Sequence, residues 1–159
     1  LATTGMVNMF HLSNNITKAK IMEKISIEAT DIRRTIENLS AASKLNPDLV
    51  FFGCPHCSLA EIKQIADLLG DKKVKKGTEF WVCTSRYVKE KAKKHVEEIK
   101  KSGGHVLADT CAVVTWTDKL GIKTIMTNSA KTAHYAPTLN KAETILAPLK
   151  ECLEAALEG

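Results

Sequence analysis

Short apolar runs alternate along most of this chain with stretches of helical periodicity, and that alternation is what most restricts the fold. The runs fall at 49–53, 79–83, 105–108, 122–126 and 143–146. Between the first two, Leu59, Ile62, Ile65, Ala66 and Leu69 recur at helical spacing, after Ser58 and Glu61 in the Ser-x-x-Glu form of a capping box and before the stop at Gly70. Between the second and third, Val88, Ala92, Val96 and Ile99 give the apolar stripe of one helix over 85–101, ended by Gly103-Gly104. Pro148 opens a last helix whose buried face is Leu149, Leu153, Ala156 and Leu157. Strands alternating with helices pair in parallel through right-handed crossovers. A single α/β domain over 1–159 is expected, a three-layer sandwich with a mostly parallel sheet.

The amino-terminal third is less regular. Met6–Leu12 reads as strand-like after a Thr-Thr-Gly turn, and Ile25 and Ile27 mark another short strand. Ile32, Ile36, Leu39 and Ala42 give a helix with an apolar face from about Thr30, interrupted by Asn46-Pro47-Asp48.

Composition excludes several classes. With 159 residues, 44% hydrophobic and 26% charged, the chain has the make-up of a soluble domain with a sizeable core, and no apolar run approaches the roughly 18 residues of a membrane span. The net charge of +5 comes from basic residues interleaved with acids on helical faces, without the aromatic partners of a nucleic-acid surface. No secretory leader is visible, so the five cysteines are expected to be reduced thiols or metal ligands in the cytoplasm.

In a parallel sheet the strand ends that lead into helices share one edge, the usual ligand site. Gly53-Cys54-Pro55-His56, Cys83-Thr84-Ser85, Asp109-Thr110-Cys111 and Asn128-Ser129-Ala130-Lys131 all fall there. Cys54 and Cys57 lie where a strand exits toward a helix, whose unpaired N–H groups and dipole favour a thiolate. Ser129 is placed to cap a short helix through Tyr135, aiming free N–H groups and Lys131 at an anion. Simpler readings stand beside these. Cys83 and Cys152 read as core packing, His95 as solvated, and His11, His105 and His134 as structural, while Thr84 and Ser85 are either caps or substrate contacts.

The cysteine pair admits three chemistries. Cys-Pro-His-Cys at a helix start is the active-site sequence of thioredoxin-like thiol-disulfide oxidoreductases. A zinc site from Cys54, Cys57, Cys83 and Cys111 has longer gaps than a compact zinc motif. Iron-sulfur ligation takes thiolates from separate loops, as one sheet edge supplies them.

Taken together, Thr3-Thr4-Gly5 with MVNMFH, GCPH at 53–56, WVCTSR at 81–86, DTC at 109–111 and TNSAKTAHY at 127–135 resemble the aconitase X family. The resemblance spans essentially the whole chain and matches the carboxy-terminal part of a larger subunit with an aconitase-like domain. It implies an iron-sulfur hydro-lyase removing water from a hydroxy acid, with 5-phosphomevalonate the expected substrate and a hydroxyproline or another hydroxy acid the alternative. Cys54 and Cys111 match cluster ligands, with a third cysteine upstream of Leu1. Ser129 and Lys131 are the expected catalytic residues. Thr3, Thr4, Gly5, Thr84, Ser85, Asn128 and Tyr135 are expected to contact an anionic small-molecule substrate. The implied partners are the amino-terminal remainder of the large subunit and a small swivelling subunit or domain.

Overall fold

The computed structural model describes residues 2–5, 7, 9–11, 22–42 and 46–158. Its framework is a five-stranded sheet of β1 (Leu49–Cys57), β2 (Glu79–Thr84), β3 (His105–Ala108), β4 (Thr124–Thr127) and β5 (Glu143–Leu146), all parallel, in the order β3-β2-β1-β4-β5. That order is doubly wound: the chain moves outward from β1 to β3, then returns beside β1 to build β4 and β5.

Alternation along β1 divides the core in two. Val50 and Phe52 join Phe80, Val82 and Met126 under α3 (Leu59–Leu69), α5 (Lys93–Lys101) and α7 (Leu149–Ala156), with Phe52 and Phe80 edge to face at 5.6 Å. Leu49 and Phe51 join Trp81, Cys83 and Ile125 on the other face, covered by Ala136 of α6 (Ala130–Leu139) and by Ala112 of a short 3-10 turn, Ala112–Val114. Helices therefore flank both faces, as the three-layer reading requires. Ser58 accepts from the Glu61 amide while the Glu61 carboxylate accepts from the Ser58 amide at 2.8 Å, so the expected capping box is formed.

Four expectations change. The helix expected over 85–101 is two, α4 (Arg86–Lys91) and α5, bent at Ala92. Both flanking backbone bonds survive the bend, Ala92 N–H to the Val88 carbonyl and Val96 N–H to the Ala92 carbonyl, and Ala92 is buried in the core with Val96 and Ile99. The Thr3–Gly5 turn belongs to a single helical turn, α1 (Ala2–Gly5), and Val7, Met9, Phe10 and His11 form no strand; Met6, Asn8 and Leu12 lie outside the described residues. Ile25 and Ile27 are exposed and outside any strand, and among the described residues no strand pairs with them. The helix expected from Thr30 is α2 (Ala29–Asn38), but it stops before Leu39 and Ala42, and Ile32 and Ile36 face outward at 56% and 43% exposure.

Beyond α2 the backbone latches onto β5. Ser40 Oγ accepts from the Leu146 amide at 3.0 Å, the Ala42 amide donates to the Thr144 carbonyl at 3.2 Å, and the Thr144 hydroxyl donates to the Leu39 carbonyl at 3.0 Å. Among the described residues no helix is long and apolar enough to cross a membrane.

Candidate active site

The site begins where β1 leaves the sheet. Phe52 pairs with Val82 and Cys57 with Thr84, so the four residues 53–56 lie opposite Cys83 alone and must loop outward. Gly53 makes this possible. Its φ is 111°, and a Cβ there would sit 2.1 Å from the Cys83 carbonyl oxygen. The loop lies at the carboxyl end of β1, next to β4, which is the point where the winding of the sheet reverses and a crevice opens.

Three side chains hold the loop. The Ser129 hydroxyl donates to the Cys54 carbonyl, the buried Thr84 hydroxyl donates to the Cys57 carbonyl at 2.6 Å, and His56 Nε2 donates to the Thr110 carbonyl at 2.9 Å. Cys54 and Cys57 part company across the sheet. Cys54 packs against the core cluster on the α6 face that contains Cys83 and that Cys111 also borders, whereas Cys57 is buried on the α3 face. Burial, with smaller contributions from the Glu61 carboxylate and Cys83, pushes the Cys57 thiol up to about 12. The expected thiolate at Cys57 is therefore disfavoured: its strand pairing buries the thiol, and the Glu61 carboxylate at the start of α3 opposes its charge. Cys54 and Cys57 are free thiols that pack into different halves of the core, although both reach the cavity beside the β1 loop.

Cys83 is buried, and burial raises its thiol to about 12, with smaller contributions from Cys111 and then Cys54. Cys54 and Cys111 are thus brought to one patch, both half-buried. The loop carrying Cys111 is shaped by Asp109, whose φ of 57° turns the chain sharply and whose carboxylate accepts from the Arg86 amide at 2.9 Å and pairs with the Arg86 guanidinium at 3.1 Å. Thr115 donates to the Cys111 carbonyl at 2.9 Å. The buried Asn140 amide holds the Ala112 and Thr115 carbonyls at 3.2 and 2.8 Å.

Ser129 caps α6 as expected, accepting from the Thr132 amide at 3.1 Å while it anchors Cys54. A cavity of about 150 Å³ lies between the β1 loop and the start of α6, lined by Cys54, His56, Glu61, Asn128 and Ser129. Lys131 is exposed in the first turn of α6, outside that lining. Tyr135 donates to the Thr3 carbonyl at 2.8 Å, which ties Thr3, Thr4 and Gly5 to α6 rather than to the cavity wall. Ser85 caps α4 through the Val88 amide at 3.2 Å. Sequence reasoning set His56 on the ligand edge and Glu61 in a capping box without assigning either a role in the site; the contact of His56 with Thr110 exists only once β1 and β3 share a sheet, and the cavity only once α6 starts beside the β1 loop.

A family model described as "Aconitase X third domain" matches residues 47–158. The chain is 38% identical over 163 aligned residues to the phosphomevalonate dehydratase large subunit of Methanocaldococcus jannaschii, an alignment covering 97% of this chain and 40% of that protein. It is 31% identical to the cis-3-hydroxy-L-proline dehydratase of Hypocrea jecorina, over 99% of this chain and 29% of that one. The crystal structure of Thermococcus kodakaraensis aconitase X in its holo-form superposes with a TM-score of 0.74 at 30% identity, covering 86% of this chain and 36% of that chain. The chain thus spans well under half the length of the relatives it matches.

Proposed function

The chain belongs to the aconitase X family, and from that premise we propose that it is the part of a hydroxy-acid dehydratase that supplies two thiolates and an anion-binding rim to the active site. The substrate we favour is 5-phosphomevalonate, because the relative named for phosphomevalonate dehydration is 38% identical to this chain. The 31% identity to the hydroxyproline dehydratase keeps cis-3-hydroxy-L-proline as the second reading.

The observation that carries the proposal is that Cys54 and Cys111, from separate strand-end loops, both border the core cluster around Cys83. Two half-buried thiols from separate loops form a soft donor pair suited to an iron-sulfur cluster whose third ligand comes from elsewhere in the full protein. When bound, such a centre supplies Lewis acidity toward the departing hydroxyl.

The remaining residues bind and orient. Ser129 fixes the Cys54 backbone and caps α6, so the first turn of that helix favours negative charge, and Lys131, exposed on that turn outside the cavity lining, adds a cation nearby. Asn128, exposed on the cavity wall, offers an amide to a substrate carboxylate. Thr84 and Ser85 act indirectly, the one by fastening the β1 loop and the other by starting α4. Arg86, held by Asp109, leaves guanidinium donors beside the Cys111 loop for a phosphate. The amino-terminal remainder of a large subunit and a small swivelling subunit complete the site in this reading.

The test is anaerobic reconstitution of the full-length large subunit with iron and sulfide, followed by visible absorption, iron counting and, with the small subunit added, a dehydration assay on both substrates. Cys54→Ser and Cys111→Ser should each abolish the cluster absorption and the activity. Normal iron content in either variant would refute the ligand assignment, and turnover of the hydroxyproline alone would reverse the substrate order.

A further inference from the structure

Cys54 and Cys111 follow strands that are not neighbours. β2 lies between β1 and β3, so the two strands sit about 9.5 Å apart, twice the spacing of adjacent strands. The loops beyond them must therefore lean toward each other over the end of β2 before both thiols can serve one centre. Each loop is fastened to β2 separately, the first by Thr84 to the Cys57 carbonyl and the second by the Asp109 amide to the Thr84 carbonyl at 2.9 Å. Among the described residues, one hydrogen bond runs directly from the 53–57 loop to the 109–111 loop, that from His56 Nε2 to the Thr110 carbonyl at 2.9 Å. It spans the arch one residue from Cys111 and two from Cys54.

We infer that His56 is a positioning residue: its imidazole closes the arch between the two cysteine loops and sets the separation at which Cys54 and Cys111 meet a shared iron-sulfur centre. The inference rests on the reading of those cysteines as ligands. His56 is exposed, and an exposed hydrogen bond adds little to global stability. Its loss is therefore read at the metal and in the loop rather than in the melting temperature. Groups that orient metal ligands from the next layer out typically change metal affinity 10- to 100-fold when removed.

The experiment compares His56→Ala and His56→Gln in the full-length large subunit. Gln keeps an N–H at about the reach of Nε2 but has no imidazole chemistry. Iron affinity after anaerobic reconstitution and amide hydrogen exchange over 111–115 in the metal-free protein are measured for both. His56→Ala should bind iron 10- to 100-fold more weakly and exchange faster over 111–115, and His56→Gln should restore both. Unchanged iron affinity and exchange in His56→Ala would overturn the inference. So would a His56→Gln variant as defective as Ala, since the ring itself would then be required. If Cys54→Ser and Cys111→Ser leave iron binding intact, the ligand reading fails and with it the part of the inference that concerns iron. The exchange result still decides whether His56 holds the loops together.

Discussion

Gly53 shows how one residue without a side chain sets the position of one with chemistry. Its Cβ would overlap the Cys83 carbonyl oxygen at 2.1 Å, on a φ of 111°. Gly53→Ala should therefore cost roughly 2–4 kcal/mol, from backbone strain added to a clash that backbone alone can relieve. Urea denaturation would measure it; a midpoint like that of the wild type would show that the β1 loop bends elsewhere. The sequence marked Gly53 as the end of an apolar run, but the carbonyl it avoids belongs to β2, and only the strand register brings the two together. Cys57 failed for a related reason. Helix-dipole reasoning acts on the residues next to α3, while the pairing of Cys57 with Thr84 puts its thiol inside, where desolvation outweighs the dipole.

Helix starts were legible because their signals are local. Ser58 and Ser129 each cap the helix that the sequence assigns to them, and Ser85, read there as either a cap or a substrate contact, caps α4. Ser129 adds a bond to the Cys54 carbonyl that no local pattern announces. Ser129→Ala removes both contacts and should destabilise the protein by about 1–3 kcal/mol, one part from the lost cap and one from the released carbonyl. Thermal unfolding would check this, and Ser129→Asp, which keeps a cap acceptor but cannot donate, should recover the first part alone. The bend at Ala92 and the early end of α2 were not legible. An unbroken apolar stripe carries no mark of where a helix bends, and Ala42 leaves the helical pattern to reach a carbonyl of β5 more than 100 residues ahead.

Across the whole molecule the alternation of short apolar runs and amphipathic segments fixed the class, the layers and the edge on which the loops gather, whereas the strand order is invisible to any local pattern. Burial of Cys57, Cys83 and Cys152 links that architecture to pH. Each thiol rises from an ordinary value of 9.0 to about 12, by desolvation first. Above pH 9 the unfolded chain loses these protons while the folded one keeps them. The stability they contribute is thus complete below pH 9 and is lost as pH climbs toward 12. In urea titrations of the metal-free protein from pH 7 to 10.5, Cys152→Ala should show a shallower alkaline decline than the wild type; equal slopes would mean that the Cys152 thiol ionises freely when folded. The latch of residues 39–42 on β5 has its own consequence. It covers what is otherwise a bare row of backbone donors and acceptors at one margin of the sheet, and the 47–158 span of the family model leaves it out. A chain cut at residue 47 should therefore keep its sheet yet self-associate by strand addition at β5, running as dimers or larger species in size-exclusion chromatography where the chain retaining 29–42 does not.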